Sequence, residues 1–199
     1  MSRPQPSNIA ASVRQRVLNH ARATQTEYNL VEVRYSIERL LYRLSVSDHR
    51  ESFFLKGAML FVLWEGESHR PTRDLDLLLD PSHDAPQIEK IFRAVVQVSC
   101  PDDGLSFDPG SISVSEIREN NAYGGIRVTM TAHLGNGRIP IQVDIGLGDP
   151  VTPEAGWSEY PSLLDFPHPI LRAYPIYTVV AEKFEAIVKR GVMNSRMKD

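Results

Sequence analysis

Residues Phe53 to Asp80 read FFLKGAMLFVLWEGESHRPTRDLDLLLD, and this stretch decides the fold. Phe53–Lys56 is a short apolar run. Gly57 opens a helix expected over Ala58–Trp64. A polar loop, Glu65–Thr72, carries Gly66, Arg70 and Pro71. Asp74-Leu75-Asp76 then leads into the apolar Leu77–Leu79. On a strand, residues at i and i+2 share a face, so both carboxylates point the same way. Side by side on an otherwise apolar strand they repel and resist burial. A divalent cation relieves this, and oxygen ligands suit Mg²⁺ or Mn²⁺. Asp-x-Asp alone more commonly means a solvated pair at a strand start. Context favours the site reading. Lys56-Gly57 lies just upstream, where a helix start can hold phosphate. The Arg70-Pro71-Thr72-Arg73 loop abuts the acids.

The chain has 199 residues, enough to bury a real core in one domain or two small ones. Its formal net charge is −3, so no global basic field attracts nucleic acid, and an RNA partner requires a local patch. The single cysteine, Cys100, cannot form an internal disulfide, which fits a reducing compartment. No run of about 18 apolar residues suggests a membrane span. Met1–Ala10 lacks the apolar core of a secretion signal, so the expected location is cytoplasmic.

Working outward, Ser7 or Asn8 can cap a helix reaching about Thr24, with Ile9, Val13 and Val17 on one stripe. A second helix, about Thr26–Ser45, repeats Leu30, Val33, Ile37, Leu40, Leu41 and Leu44 at helical period. Arg14, Arg16, Arg22, Arg34, Arg39 and Arg43 decorate the two as solvated faces or as a basic surface. Asp84 caps a further helix with Pro86 in its first turn and a stripe of Ile88, Ile91, Phe92, Val95 and Val96. Strands are expected at Leu105–Phe107, Ile112–Ile117, Ile126–Leu134 and Ile139–Ile145, the last two joined at Gly135-Asn136-Gly137. In the last strand Gln142 and Asp144 share the face opposite the apolar residues. Gly146–Pro169 reads as a linker pinned by Trp157 and Tyr160. A short strand, Ile170–Ala173, precedes a helix that Pro175 and Thr178 open and that runs to Arg190. Its buried side is expected to be Val179, Val180, Phe184, Ile187 and Val188, with Gly191 ending it. Asn194–Asp199 reads like the beginning of another helix.

Asp74, Asp76 and Asp144, with the Gly57 helix start, form a set suited to phosphoryl transfer, in which metal ions bridge a triphosphate and an attacking hydroxyl. Glycine lets the backbone approach phosphates closely. Thr72 can bond a phosphate or the acids. Lys183 either snorkels to solvent or neutralises triphosphate charge.

These segments together resemble the AbiEii/AbiGii-type nucleotidyltransferase toxins of the polymerase-beta-like superfamily, relatives of the MenT toxins. The likeness rests, in order, on Leu55-Lys56-Gly57-Ala58, Arg70-Pro71-Thr72-Arg73-Asp74-Leu75-Asp76-Leu77, Gln142-Val143-Asp144-Ile145, Ala181-Glu182-Lys183-Phe184-Glu185-Ala186 and Asn194–Asp199. It implies an α+β nucleotidyltransferase fold, a small mixed sheet flanked by helices with helical N- and C-terminal parts. It also implies Mg²⁺-dependent transfer from an NTP to an acceptor, in the better understood relatives the tRNA 3′ end, and a cognate antitoxin encoded nearby. By resemblance Asp74 and Asp76 are the metal pair, Asp144 the superfamily's third acid, Lys183 the phosphate-contacting lysine and Asp199 a later catalytic acid. Lys56, Gly57, Ala58, Thr72 and Arg73 fall on the phosphate side. Thr72 stands where some relatives carry a serine that the antitoxin phosphorylates. Ala58 departs from the usual Gly-Ser or Gly-Gly, and the family normally continues into a helical region beyond Asp199. The expected division is a transferase core over 1–150 and a connecting and helical segment over 151–199. Transfer to a protein acceptor, a non-catalytic NTP-binding module and a metal-dependent nuclease are the other readings.

Overall fold

The computed structural model describes residues 8–66, 72–79, 81–117, 124–148 and 151–190. Arg70, Pro71, Gly191 and Asn194–Asp199, Asp199 with its expected catalytic role included, lie outside the described residues.

Strand β1 (Phe53–Lys56) runs antiparallel to β2 (Asp74–Leu79), and helix α3 (Met59–Glu65) with the loop after it spans the connection. A seven-stranded mixed sheet grows outward from this pair. On one side β2 pairs in parallel with β5 (Gly137–Leu147), which pairs antiparallel with β4 (Gly125–Leu134), and β4 with β3 (Leu105–Ile117). On the other side β1 pairs in parallel with β7 (Ile170–Ala173), and β7 antiparallel with β6 (Gly156–Glu159). The order is β3-β4-β5-β2-β1-β7-β6. The 151–190 segment therefore adds two strands to the sheet as well as a helix. The expected Gly146–Pro169 linker contains β6. Of its two pins Tyr160 is buried, whereas Trp157 is exposed.

The two strands expected at Leu105–Phe107 and Ile112–Ile117 are one strand with a register shift between Asp108 and Ser113. Pro109 has no N–H to give the ladder. The Asp108 carboxylate accepts the Gly110 amide at 2.8 Å, and the Ser111 hydroxyl accepts the Thr131 amide at 2.8 Å. Side chains thus replace missing ladder bonds and the strand continues. The β4–β5 turn is a two-residue loop with Leu134 opposite Gly137 and Gly135 at φ +60.

One sheet face carries Leu55, Leu75, Leu77, Val128, Val143 and Ile145, all buried. Helices α1 (Ile9–Ala23), α2 (Tyr28–Ser45) and α4 (Ala85–Val95) supply the rest of the core. Asn8 caps α1 by accepting the Ala11 amide. At α4, Asp84 and Gln87 form a reciprocal capping box.

Of the six arginines expected on solvated faces or a basic surface, Arg14 and Arg22 are exposed and Arg16 and Arg34 half-buried, but the expectation fails for Arg39 and Arg43, because α2 is covered on more than its apolar stripe. Arg39 and Arg43 are buried at 1% and 5% exposure. Arg43 binds both oxygens of Asp103, at 2.7 and 3.1 Å. Arg39 donates to the Pro167 carbonyl and lies over the Tyr42 and Phe166 rings. Glu38 is buried too, accepting from Arg34 at 3.0 Å and from the Leu163 amide at 2.8 Å. The segment following β6 covers Arg39 and Glu38, the start of β3 covers Arg43, and such buried charges persist only when paired.

Helix α5 (Ile176–Arg190) ends the described chain. Val179 is buried, but Val180, Phe184 and Val188 are 61%, 68% and 66% exposed, against the expected buried stripe. The Ile187 side chain lies outside what is described. Among the described side chains of that stripe only Val179 is buried. No helix among the described residues is long and apolar enough to cross a membrane.

Candidate active site

Residues paired across a sheet point to the same face. Lys56 pairs with Asp76, Asp76 with Asp144, and Asp144 with Arg127. The four make one row across β1, β2, β5 and β4, on the face turned away from α1, α2 and α4. Asp74 and its partner Gln142 stand two residues along, about 7 Å away. The structure thus brings Asp74, Asp76 and Asp144 to one face, as their strand phases predict.

Gly57 explains the Lys-Gly step. Its φ is +72, a region that L side chains rarely adopt. A Cβ there would lie 1.9 Å from Asp76 Oδ2 and 2.6 Å from Asp76 Cβ. The turn into α3 therefore passes directly over the Asp76 carboxylate, and only a glycine permits that approach. Thr72 Oγ1 lies 2.9 Å from both Asp74 Oδ1 and the Asp74 carbonyl. Having one proton, the hydroxyl can donate to either oxygen, and it tethers the second acid.

The other expected residues divide. Lys56 reaches Glu182 Oε1 of α5 at 3.5 Å and lies 5.2 Å from the Tyr174 ring centre. Lys183 Nζ lies 5.2 Å from the Phe61 ring centre, so α5 and α3 meet beside the acids. Ala58 precedes α3 with no side-chain cap, and Arg73 is exposed just before β2. Two participants escaped the sequence reading, Arg127 and Glu182. Arg127 donates from Nε to Asp144 Oδ1 and from Nη2 to Asp144 Oδ2, both at 2.8 Å, while Gln142 Nε2 reaches Oδ2 at 3.3 Å. A signal for Arg127 existed. The two-residue turn puts Leu134 opposite Gly137, and counting back from there places Arg127 opposite Asp144.

Among the described residues no group of three or more His, Cys, Asp or Glu side chains is gathered closely enough to hold a metal ion. Mg²⁺ commonly takes one or two carboxylates and completes its shell with water and substrate phosphates. Asp74 and Asp76, half-buried all-oxygen donors on one face, fit that set. Asp144 has both oxygens on Arg127.

Carboxylates on adjacent strands, a glycine turn packed on one of them and two lysines nearby are the kinds of groups that phosphoryl transfer uses. The sequence agrees. A family model described as nucleotidyl transferase AbiEii toxin, Type IV TA system, matches residues 39–199. The chain belongs to that family, and its mixed sheet with flanking helices is consistent with the nucleotidyltransferase fold. Among solved structures it is similar to JHP933 from Helicobacter pylori, at 14% identity and a TM-score of 0.46 over 85% of this chain and 56% of that one. It is also similar to an H. pylori chain described as "putative nucleotidyltransferase", at 15% identity and 0.44 over 85% and 58%. The chain spans little more than half the length of each. Likenesses this low bear on neither site nor activity. No curated protein sequence matches the chain.

Proposed function

We propose that this protein is a Mg²⁺-dependent nucleotidyltransferase toxin that moves a nucleotide from an NTP to an RNA 3′ end, tRNA being the favoured acceptor. The carrying observation is the Gly57 turn seated on Asp76 with Asp74 beside it on one open face, in a chain of the AbiEii family. In the reaction an acceptor hydroxyl oxygen bonds to the α-phosphorus as the bond to pyrophosphate breaks, and the hydroxyl proton is lost to solvent. Bound Mg²⁺ would neutralise the phosphate charge that develops there, and Mn²⁺ has the same donor preference.

The chain's own residues prepare that geometry. Thr72 restrains the Asp74 carboxylate. The Gly57 backbone restrains Asp76 by direct contact. Lys183, held over Phe61, and Lys56, held by Glu182, supply positive charge for a triphosphate. A type IV toxin family also calls for a cognate antitoxin, and Thr72, hydrogen-bonded to an active-site acid, is a position where an added phosphate would repel both acids.

The test is transfer of labelled nucleotide from each NTP to total cellular RNA. Asp76→Ala should abolish transfer and toxicity together. Full activity in a folded Asp76→Ala protein would overturn the assignment. Label in protein rather than RNA would move the acceptor to a different class.

A further inference from the structure

Asp144 stands in the row where the superfamily places a third acid, yet its carboxylate is saturated by a cation of the same chain. Arg127 binds both oxygens through Nε and Nη2 in the side-on fork that suits a carboxylate, and Gln142 adds a third contact. A carboxylate held this way has little left to offer a metal. Asp144 is only 20% exposed, but the Arg127 side chain keeps 41% exposure on the open face. The pair thus turns a long, flexible cation into a fixed one, two strand spacings or about 10 Å from Asp76 at the backbone.

Charge balance points the same way. Asp74, Asp76 and Asp144 side by side would present three negative charges to a substrate that is itself an anion. Arg127 cancels one of them, so the Asp74–Asp76 pair stands beside a neutral ion pair with a partly exposed guanidinium edge and not beside a third bare acid. From this arrangement we infer that Asp144 is a positioning residue, and that the Arg127 guanidinium it holds is a phosphate-binding group of the site. The phosphate belongs either to the NTP or to the backbone of the acceptor RNA. The inference rests on the nucleotidyl-transfer reading of the same site.

The experiment compares the full chain with Arg127→Ala, Arg127→Lys, Asp144→Asn and the Arg127→Ala/Asp144→Asn double variant. Asp76→Ala and Asp76→Asn are the references, and circular dichroism checks folding. Calorimetric titration with ATP, CTP, GTP and UTP in Mg²⁺ gives nucleotide affinity. Steady-state transfer gives KM for NTP and for RNA, kcat, and the Mg²⁺ concentration for half-maximal rate.

Arg127→Ala and Asp144→Asn should each weaken one phosphate ligand by roughly ten- to a hundredfold, at nearly unchanged kcat and Mg²⁺ requirement. The double variant should be no worse than either single one. Arg127→Lys should recover only part of the loss, because lysine cannot form the fork. A loss confined to nucleotide affinity and KM for NTP assigns the NTP phosphates, and a loss confined to KM for RNA assigns the acceptor backbone. The inference is overturned if Asp144→Asn raises the Mg²⁺ requirement as Asp76→Asn does while Arg127→Ala leaves it unchanged. It is equally overturned if folded Arg127→Ala and Arg127→Lys bind nucleotide and RNA like the parent chain. Transfer surviving in Asp76→Ala would instead sink the underlying transferase reading.

Discussion

Gly57→Ala is the sharpest perturbation this site offers. Two costs arise, and they can be separated. The first is backbone strain, since a Cβ in the left-handed region at φ +72 costs about 1–2 kcal/mol. For a chain of 199 residues that alone lowers Tm by about 2–8 °C. The second is contact. The new Cβ would meet Asp76 Oδ2 at 1.9 Å, where ordinary contact begins near 3.4 Å. The carboxylate must therefore retreat by about 1.5 Å, and because Asp76 Cβ would also be met at 2.6 Å the strand must shift with it; misplacements of about 1 Å in a reacting constellation cost on the order of a hundredfold in rate. Gly66→Ala is the matched control. Gly66 has φ +77, and nothing lies within 4 Å of a Cβ built on it. It should show the strain-only Tm loss with transfer intact, whereas Gly57→Ala should show a larger Tm loss and about a hundredfold lower kcat. Thermal unfolding and labelled-NTP transfer read the two quantities. Parental activity in Gly57→Ala would refute the argument that the turn sets Asp76 in its working position.

Other outcomes follow from the packing. Asp103→Ala strands Arg43 without its buried carboxylate and should cost about 3–5 kcal/mol by urea unfolding, although the Tyr35 hydroxyl keeps its bond to the residue 103 backbone carbonyl. Burial pushes the Glu38 carboxyl above its ordinary value, against the opposing pull of Arg34 and the Leu163 amide. An acid with a raised folded pKa stabilises the fold most below its unfolded pKa of about 4.3, and that contribution disappears as pH rises through the folded value. Glu38→Gln keeps an acceptor without the charge, so its stability relative to the parent should improve as pH climbs from 4 to 7; a constant difference in Tm across that range would contradict it. Val180→Ser and Phe184→Ser, on the open side of α5, should change unfolding free energy by less than about 0.5 kcal/mol, whereas a core stripe would lose several-fold more.

Much of the fold was legible because its signals are local. The helical stripes of α2 and α4, the Asp84 cap, the Gly135-Asn136 turn and the alternation along β4 and β5 each depend on residues within one or two turns or strands of each other. What failed depended on distant chain. Nothing near Arg39 or Arg43 announces that Asp103 and the segment around Pro167 will close over them. The α5 stripe is apolar at helical spacing, yet spacing cannot reveal that Val180, Phe184 and Val188 lie exposed. The break expected between the halves of β3 was reasonable at Pro109-Gly110, but Asp108 and Ser111 supply the bonds that the backbone lacks.

The candidate site divides along the same line. The sequence by itself determined that Asp74 and Asp76 share a face, that Asp144 lies opposite the apolar side of its strand, and that Gly57 matters, because strand period and glycine's missing Cβ are properties of the local chain. Only the tertiary structure decided which strands are neighbours. The parallel pairing of β2 with β5 sets Asp76 beside Asp144, and the antiparallel pairing of β1 with β2 lays Gly57 on Asp76. It also decided that the third acid faces an arginine across the β4–β5 ladder. Long-range register is chosen by the packing of the whole sheet, so the difference between three equivalent acids and a pair beside a fixed cation appears only once the sheet is assembled.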